Sequence, residues 1–301
     1  MVLNAKQCYR RRKHQTVGRT APPNFVADLR HLQNWPMMRG SLWRRASFVA
    51  LTHKSNCKLL TSTIKGRNLK ILDVGCGTGF ISLELARRGH DVLGLDRSEK
   101  MIEIAKRTTE KTQNAVKEKL RYEIVDFDKW SGNAQTFDLV LFSRVLHDLP
   151  NPRNVLLKAH RLLKEQGQLV CLEYAYDMID RKAAAWLYQV RKALEIQGWY
   201  SSPHLPDDPE EGVTHILGEA VEERKEHINT FAEMIRPLKR LFRQEQFSWH
   251  PYYFWDILTD MRVPNPRVEE RLARMIKNME HFLLQTREIH SELFLYKGRK
   301  S

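Results

Sequence analysis

Apolar residues follow two rhythms along this chain. Strand-length apolar runs occur at residues 69–74, 91–96, 122–127, 137–142 and 168–174, and again at 247–254 and 291–298. Between them, apolar positions recur at helical spacing over 80–86, from Ser98 through Ala105, and over 154–163, 181–196 and 213–225. Thr230-Phe231-Ala232-Glu233 forms a capping box that opens a further helix. Val268, Leu272, Met275, Ile276, Met279 and Phe282-Leu283 mark another. Strands that alternate with helices predict an α/β architecture around a mostly parallel sheet.

Chemistry enters where the first strand meets the first helix. Residues 71–79 read Ile-Leu-Asp-Val-Gly-Cys-Gly-Thr-Gly. Glycines are needed where a backbone turns sharply from strand to helix and where a ligand must approach the main chain. In an open α/β sheet, this crossover lies at the ligand-binding edge. A dinucleotide fingerprint would need glycine at position 80, which is Phe80. The second strand ends in Asp96, 17 residues beyond Gly79, where a carboxylate can accept both hydroxyls of a ribose.

The stretch Asp73-x-Gly75-x-Gly77-x-Gly79 resembles motif I of the class I S-adenosylmethionine-dependent methyltransferases. That resemblance implies a Rossmann-like sheet of seven strands, mostly parallel with an antiparallel last strand, and S-adenosyl-L-methionine as cofactor. It implies that Asp73 meets the cofactor's ammonium group, and that the loop of Gly75, Cys76, Gly77 and Gly79 meets its carboxylate. Asp96 and Arg97 then stand at the ribose, and Ser98 caps the next helix. Met101 packs on the adenine, unless it is an ordinary core methionine. Asp126 accepts from the adenine amino group beside the Phe127 amide, with Asp128 as a competitor for that role. Ser143 follows the fourth strand and leads into Val145-Leu146-His147-Asp148-Leu149, similar to the family's Leu-His-x-Leu stretch. The family's usual Lys-Pro-Gly-Gly turn reads Lys164-Glu165-Gln166-Gly167 here.

Charge divides the chain. Residues 1–70 carry 15 Lys and Arg against one acid, Asp28, so the net +14 falls there and the remainder is neutral. Segment 1–35, densest at Arg10-Arg11-Arg12-Lys13, reads as a flexible basic extension ahead of a catalytic domain over 36–301. Such a block is a solvated tail or a contact for an anionic partner. No apolar run approaches the roughly 18 residues of a membrane span, and no secretory core follows Met1. Cys8, Cys57, Cys76 and Cys171 form no CxxC pair, so reduced thiols and a cytoplasmic location are expected. The Arg-rich, acid-poor start also fits an organellar transit peptide.

The acceptor is read from two insertions, about 175–229 after strand five and 256–288 after strand six, expected to form a helical lid over the cofactor end. The segment Trp249-His250-Pro251-Tyr252-Tyr253-Phe254-Trp255 suggests a pocket wall for a flat or apolar small molecule. His147 is the candidate general base, set against the alternative of a histidine that packs the lid, and Tyr174 is the second choice. No Asn-Pro-Pro-Tyr stretch, Pro-Cys nucleophile or acid cluster points to adenine-amine, cytosine-C5 or metal-dependent chemistry, and no metal is expected. Two other readings stand beside small-molecule methylation. One is an RNA or protein methyltransferase that uses the basic N-terminus. The other is a non-catalytic, cofactor-binding partner subunit.

Overall fold

The computed structural model describes residues 45–202, 204–224 and 229–300. The basic segment 1–35, Cys8 and Leu42 to Arg44 lie outside the described residues. The described chain opens with α1 (Ala46–Val49), a π-helical turn (Ala50–Lys54) and α2 (Ser55–Thr63). Then follow β1 (Lys70–Val74), α3 (Phe80–Arg87), β2 (Asp91–Asp96), α4 (Glu99–Glu110), α5 (Asn114–Lys117), β3 (Leu120–Ile124) and β4 (Phe137–Ser143). A 3-10 turn (Leu146–Asp148), α6 (Pro152–Leu162), β5 (Leu163–Tyr174), α7 (Arg181–Ile196), α8 (Pro209–Arg224) and α9 (Phe231–Leu241) come next. The chain ends with β6 (Phe242–His250), α10 (Phe254–Asp260), α11 (Pro266–Gln285) and β7 (Leu293–Lys300).

The seven strands lie in the order β3-β2-β1-β4-β5-β7-β6. β1 to β5 run parallel, and β7 runs antiparallel between β5 and β6. Side-chain alternation splits the apolar residues between the two faces. Ile71, Leu139, Leu141, Val170 and Leu172 join a core with Phe48, Leu60 and the rings of Tyr252 and Tyr253. Leu72, Val74, Val140, Phe142, Leu169 and Cys171 join a second core with Leu156, Phe294 and Tyr296. A sheet buried on both faces needs this near-continuous hydrophobicity, and it points the carboxyl ends of β1, β2, β4 and β5 toward one edge.

Several boundaries differ from the pattern-based expectation. β3 stops at Ile124, so Asp126 and Phe127 stand on a loop and not in the strand. β5 begins at Leu163, and the expected turn at 164–167 is absorbed into it, although Gln166 keeps a left-handed φ of 61° and the β4 register shifts there. β6 spans Phe242–His250 and not 247–254, because Glu280 receives the amides that follow and starts α10. Ser98 caps α4, and the Thr230–Glu233 capping box is present.

Candidate functional site

The turn from β1 to α3 is built on left-handed glycines, with φ of 68° at Gly75, 53° at Gly77 and 73° at Gly79. Two are glycine for internal reasons: a side chain at Gly75 would strike Val145, and one at Gly79 would strike the Tyr122 hydroxyl. Gly77 is different, because a Cβ there would meet nothing within 4 Å. That bare stretch of backbone faces open space, the arrangement a close-approaching ligand requires.

Two carboxylates flank the loop. Asp96 ends β2, and its oxygens accept from the Gly77 amide at 2.9 Å and the Ser98 amide at 2.8 Å. Each carboxylate oxygen has a second lone pair, so the side chain that shapes the loop can also receive two hydroxyls. Asp73 is buried and accepts from the Ser82 hydroxyl at 2.5 Å. Burial pushes its pKa up to about 7, against the pull of Ser82 and with a further push from Asp96. A cation close to this carboxyl would favour its charged form again.

The remaining cofactor candidates lie around the same edge. The Ser98 hydroxyl accepts from the Met101 amide at 3.4 Å, and the Met101 side chain is half-buried. Arg97 is exposed. Asp126 accepts from the Asp128 amide at 3.1 Å. The Phe127 ring is buried edge-on against Phe142, so its side chain belongs to the core. Ser143 ends β4 opposite Leu172 of β5. Of these residues, Phe127 has its ring in the core, which leaves its backbone alone on the loop.

The tips of β4 and β5 carry the second half of the site. His147 sits in the 3-10 turn, 5% exposed, with Nδ1 2.8 Å from Oε2 of Glu173. Glu173 is fully buried and also accepts the amides of Val145 and Leu146, each at 2.9 Å. Asn229 holds the turn from behind, its side-chain amide donating to the carbonyls of Leu146, His147 and Leu149. Burial pulls the His147 pKa down, but the hydrogen bond and charge of Glu173 outweigh it and the net shift is upward from 6.5. The rings of Tyr174 and Tyr176 stand edge-on to the imidazole at 5.3 and 5.6 Å, and Tyr252 closes on both tyrosines. Glu173 and Asn229 escaped the sequence analysis. The available signal for the first is an acid directly after the apolar run Leu169-Val170-Cys171-Leu172 and before Tyr174.

The expected aromatic wall divides in two. Trp249 turns away to pack with Phe231, Phe247 and Phe294 in the second core. Tyr252 to Phe254 stay on the site's side of the sheet because Glu280, fully buried on α11, accepts their three amides at 2.6, 2.9 and 2.8 Å. Burial raises the Glu280 pKa to about 7 against the pull of those amides.

A methyltransferase-domain family model matches residues 65–226, and the chain belongs to that family. Its strand order and its glycine loop are those of the class I S-adenosylmethionine-dependent methyltransferases. A ubiquinone biosynthesis O-methyltransferase of Coxiella burnetii is 33% identical over 128 residues, which cover 42% of this chain and 50% of that protein. One of the same name from Roseobacter denitrificans is 24% identical over 192 residues, 59% of this chain and 74% of its own length. The chain thus spans about half the length of the Coxiella relative. A putative methyltransferase of Bacillus halodurans shares the fold with a TM-score of 0.50 at 18% identity, over 82% of this chain and 99% of the other.

Proposed function

We propose that this protein is an S-adenosylmethionine-dependent O-methyltransferase whose acceptor is a hydroxyl on a small aromatic molecule, with His147 as the general base. The observation that carries the reading is the buried His147–Glu173 pair beneath tyrosine rings. Nδ1–H donated to Glu173 leaves the lone pair on Nε2 to take a proton, and Oδ2 of Asp148, 3.4 Å from Nε2, favours the protonated ring that results. A phenol O–H becomes strongly acidic only as its oxygen takes up the methyl group, so a base at the acceptor oxygen that removes the proton as the C–O bond forms speeds transfer. The name of the Coxiella relative, an O-methyltransferase of ubiquinone biosynthesis, supports a hydroxyl acceptor.

The bound cofactor supplies the methyl group on a sulfonium. In this reading Asp73 receives its ammonium group, the Gly75–Gly79 amides its carboxylate and Asp96 the ribose hydroxyls. Met101, Asp126 and the Phe127 backbone border the adenine. The aromatic residues around His147 exclude water and set a flat acceptor in line.

Calorimetric titration of S-adenosylmethionine and, separately, NADH into wild type and Asp96→Ala tests the cofactor half. Micromolar binding of the first, lost in the variant, is the expected result. Preference for NADH would refute the reading. A panel of phenols and amines, scored by mass increase, then tests the acceptor half, and transfer to amines alone would refute the hydroxyl assignment.

A further inference from the structure

We propose that Arg144 and Trp255 form a carboxylate-binding corner at the mouth of the site, within reach of both the cofactor loop and His147. The proposal deepens the methyltransferase reading and rests on it.

Arg144 follows the last residue of β4 and adopts a φ of 58°, a left-handed conformation unfavourable for a residue with a side chain. Its amide continues the sheet by donating to the Leu172 carbonyl at 2.8 Å. The residue after it, Val145, packs against Gly75 of the glycine loop, and the His147–Glu173 pair follows within three residues. The turn therefore carries Arg144 to the junction of the two halves of the site.

The guanidinium lies over the Trp255 ring, 5.6 Å from its centroid, and is half-buried. No ion pair or side-chain hydrogen bond joins it to another described residue. Other half-buried guanidinium groups are matched: Arg45 pairs with Glu269, and Arg191 with Glu219 at 2.8 Å. Trp255 adds a second unsatisfied donor, because its buried indole N–H finds no acceptor. His53, whose ring is 5.1 Å from that of Trp255, closes the corner. Burial, and then the charge of Arg144, lower its pKa well below 6.5, so it stays neutral and brings no second charge.

Among the described residues, the corner thus offers one cation without an ion-pair partner and one neutral donor. Leaving a half-buried cation unmatched is unfavourable, and an arginine fork fits a carboxylate with two parallel hydrogen bonds. A single net positive charge suits a monoanion. Two carboxylates can come here: the amino-acid end of the cofactor, or an acid group on the aromatic acceptor.

Calorimetry on the full chain separates these sources. Arg144→Gly removes the guanidinium and relieves the left-handed backbone, and Arg144→Lys keeps the charge without the fork. The probes are S-adenosylhomocysteine against 5′-methylthioadenosine, which lacks the carboxylate, and 4-hydroxybenzoate against phenol with the thioether site saturated. Arg144→Gly is expected to weaken one carboxylate-bearing probe at least tenfold and to leave its carboxylate-free counterpart within twofold. Arg144→Lys should fall between. Loss confined to S-adenosylhomocysteine assigns the corner to the cofactor, and loss confined to 4-hydroxybenzoate assigns it to the acceptor. Unchanged affinity for both acids, or an equal loss for acid and acid-free probes, overturns the proposal. A wild-type protein that binds neither thioether but holds 4-hydroxybenzoate through Arg144 would sink the methyltransferase reading and keep the corner. One that binds no probe overturns both.

Discussion

The imidazole of His147 and the carboxylate of Glu173 are joined at 2.8 Å, and the same carboxylate holds the turn on which His147 stands through the Val145 and Leu146 amides. One buried acid therefore fixes both the ring's tautomer and its position. Replacing His147 with Ala is expected to lower kcat by about 100-fold or more, in the range of a lost general base. Cofactor affinity should stay within about threefold. Steady-state kinetics beside calorimetry checks this, and equal losses in both would show that the histidine only packs the site.

The pH dependence has a definite sign. A base must be neutral to accept a proton, so kcat/KM should fall as pH drops through the His147 pKa, which lies above 6.5. Glu173→Gln removes the charge that raises it, and the acid limb should move to lower pH. The same upward shift affects stability. A histidine held protonated by its partner stabilises the fold fully below pH 6.5, and that contribution is lost as pH rises through the folded-state pKa. Glu173→Gln should consequently cost more stability at pH 6 than at pH 9 in urea denaturation.

Gly77 and Gly79 make a contrasting pair. Gly79→Ala would drive a methyl into the Tyr122 hydroxyl and to 2.9 Å from the Ala105 side chain. It should lower the thermal midpoint by several degrees. Gly77→Ala meets open space and carries only the left-handed penalty, about 1 kcal/mol. Its effect should appear as lost S-adenosylmethionine affinity, at least tenfold by calorimetry. A Gly77→Ala protein that binds the cofactor normally would show that no ligand approaches that backbone.

Glu280 should be among the most sensitive single positions for stability. Glu280→Ala leaves three buried amides without an acceptor and should cost at least about 3 kcal/mol, readable by chemical denaturation. Glu280→Gln keeps an acceptor oxygen. The native carboxyl holds its proton to about pH 7, whereas an ordinary one loses it near 4.5. Its ionisation therefore costs stability as pH rises across that window, and Glu280→Gln should flatten the slope there.

The legible and illegible parts of the site differ by the range of the interactions that make them. The glycine loop and Asp96 announce themselves because strand, turn and helix are contiguous, and the backbone conformation is encoded where it is used. Glu173 reads as an oddity in an apolar strand, since the amides it receives lie 27 and 28 residues upstream. Asn229 reaches back 80 to 83 residues to its carbonyls. Trp249 was expected beside Tyr252, but strand alternation sends it with Phe247 to the opposite core, and the chain turns at Pro251 before Tyr252. Composition identified the aromatic supply, and only the packing decides which rings face His147.

The wall beside His147 is anchored by main-chain amides as well as by its buried rings. Glu280 recognises the N–H groups of residues 252 to 254, which any amino acid except proline would present equally. The path of the backbone here is thus set by one acid on α11, while the buried rings of Tyr252 and Tyr253 fill the core beside it.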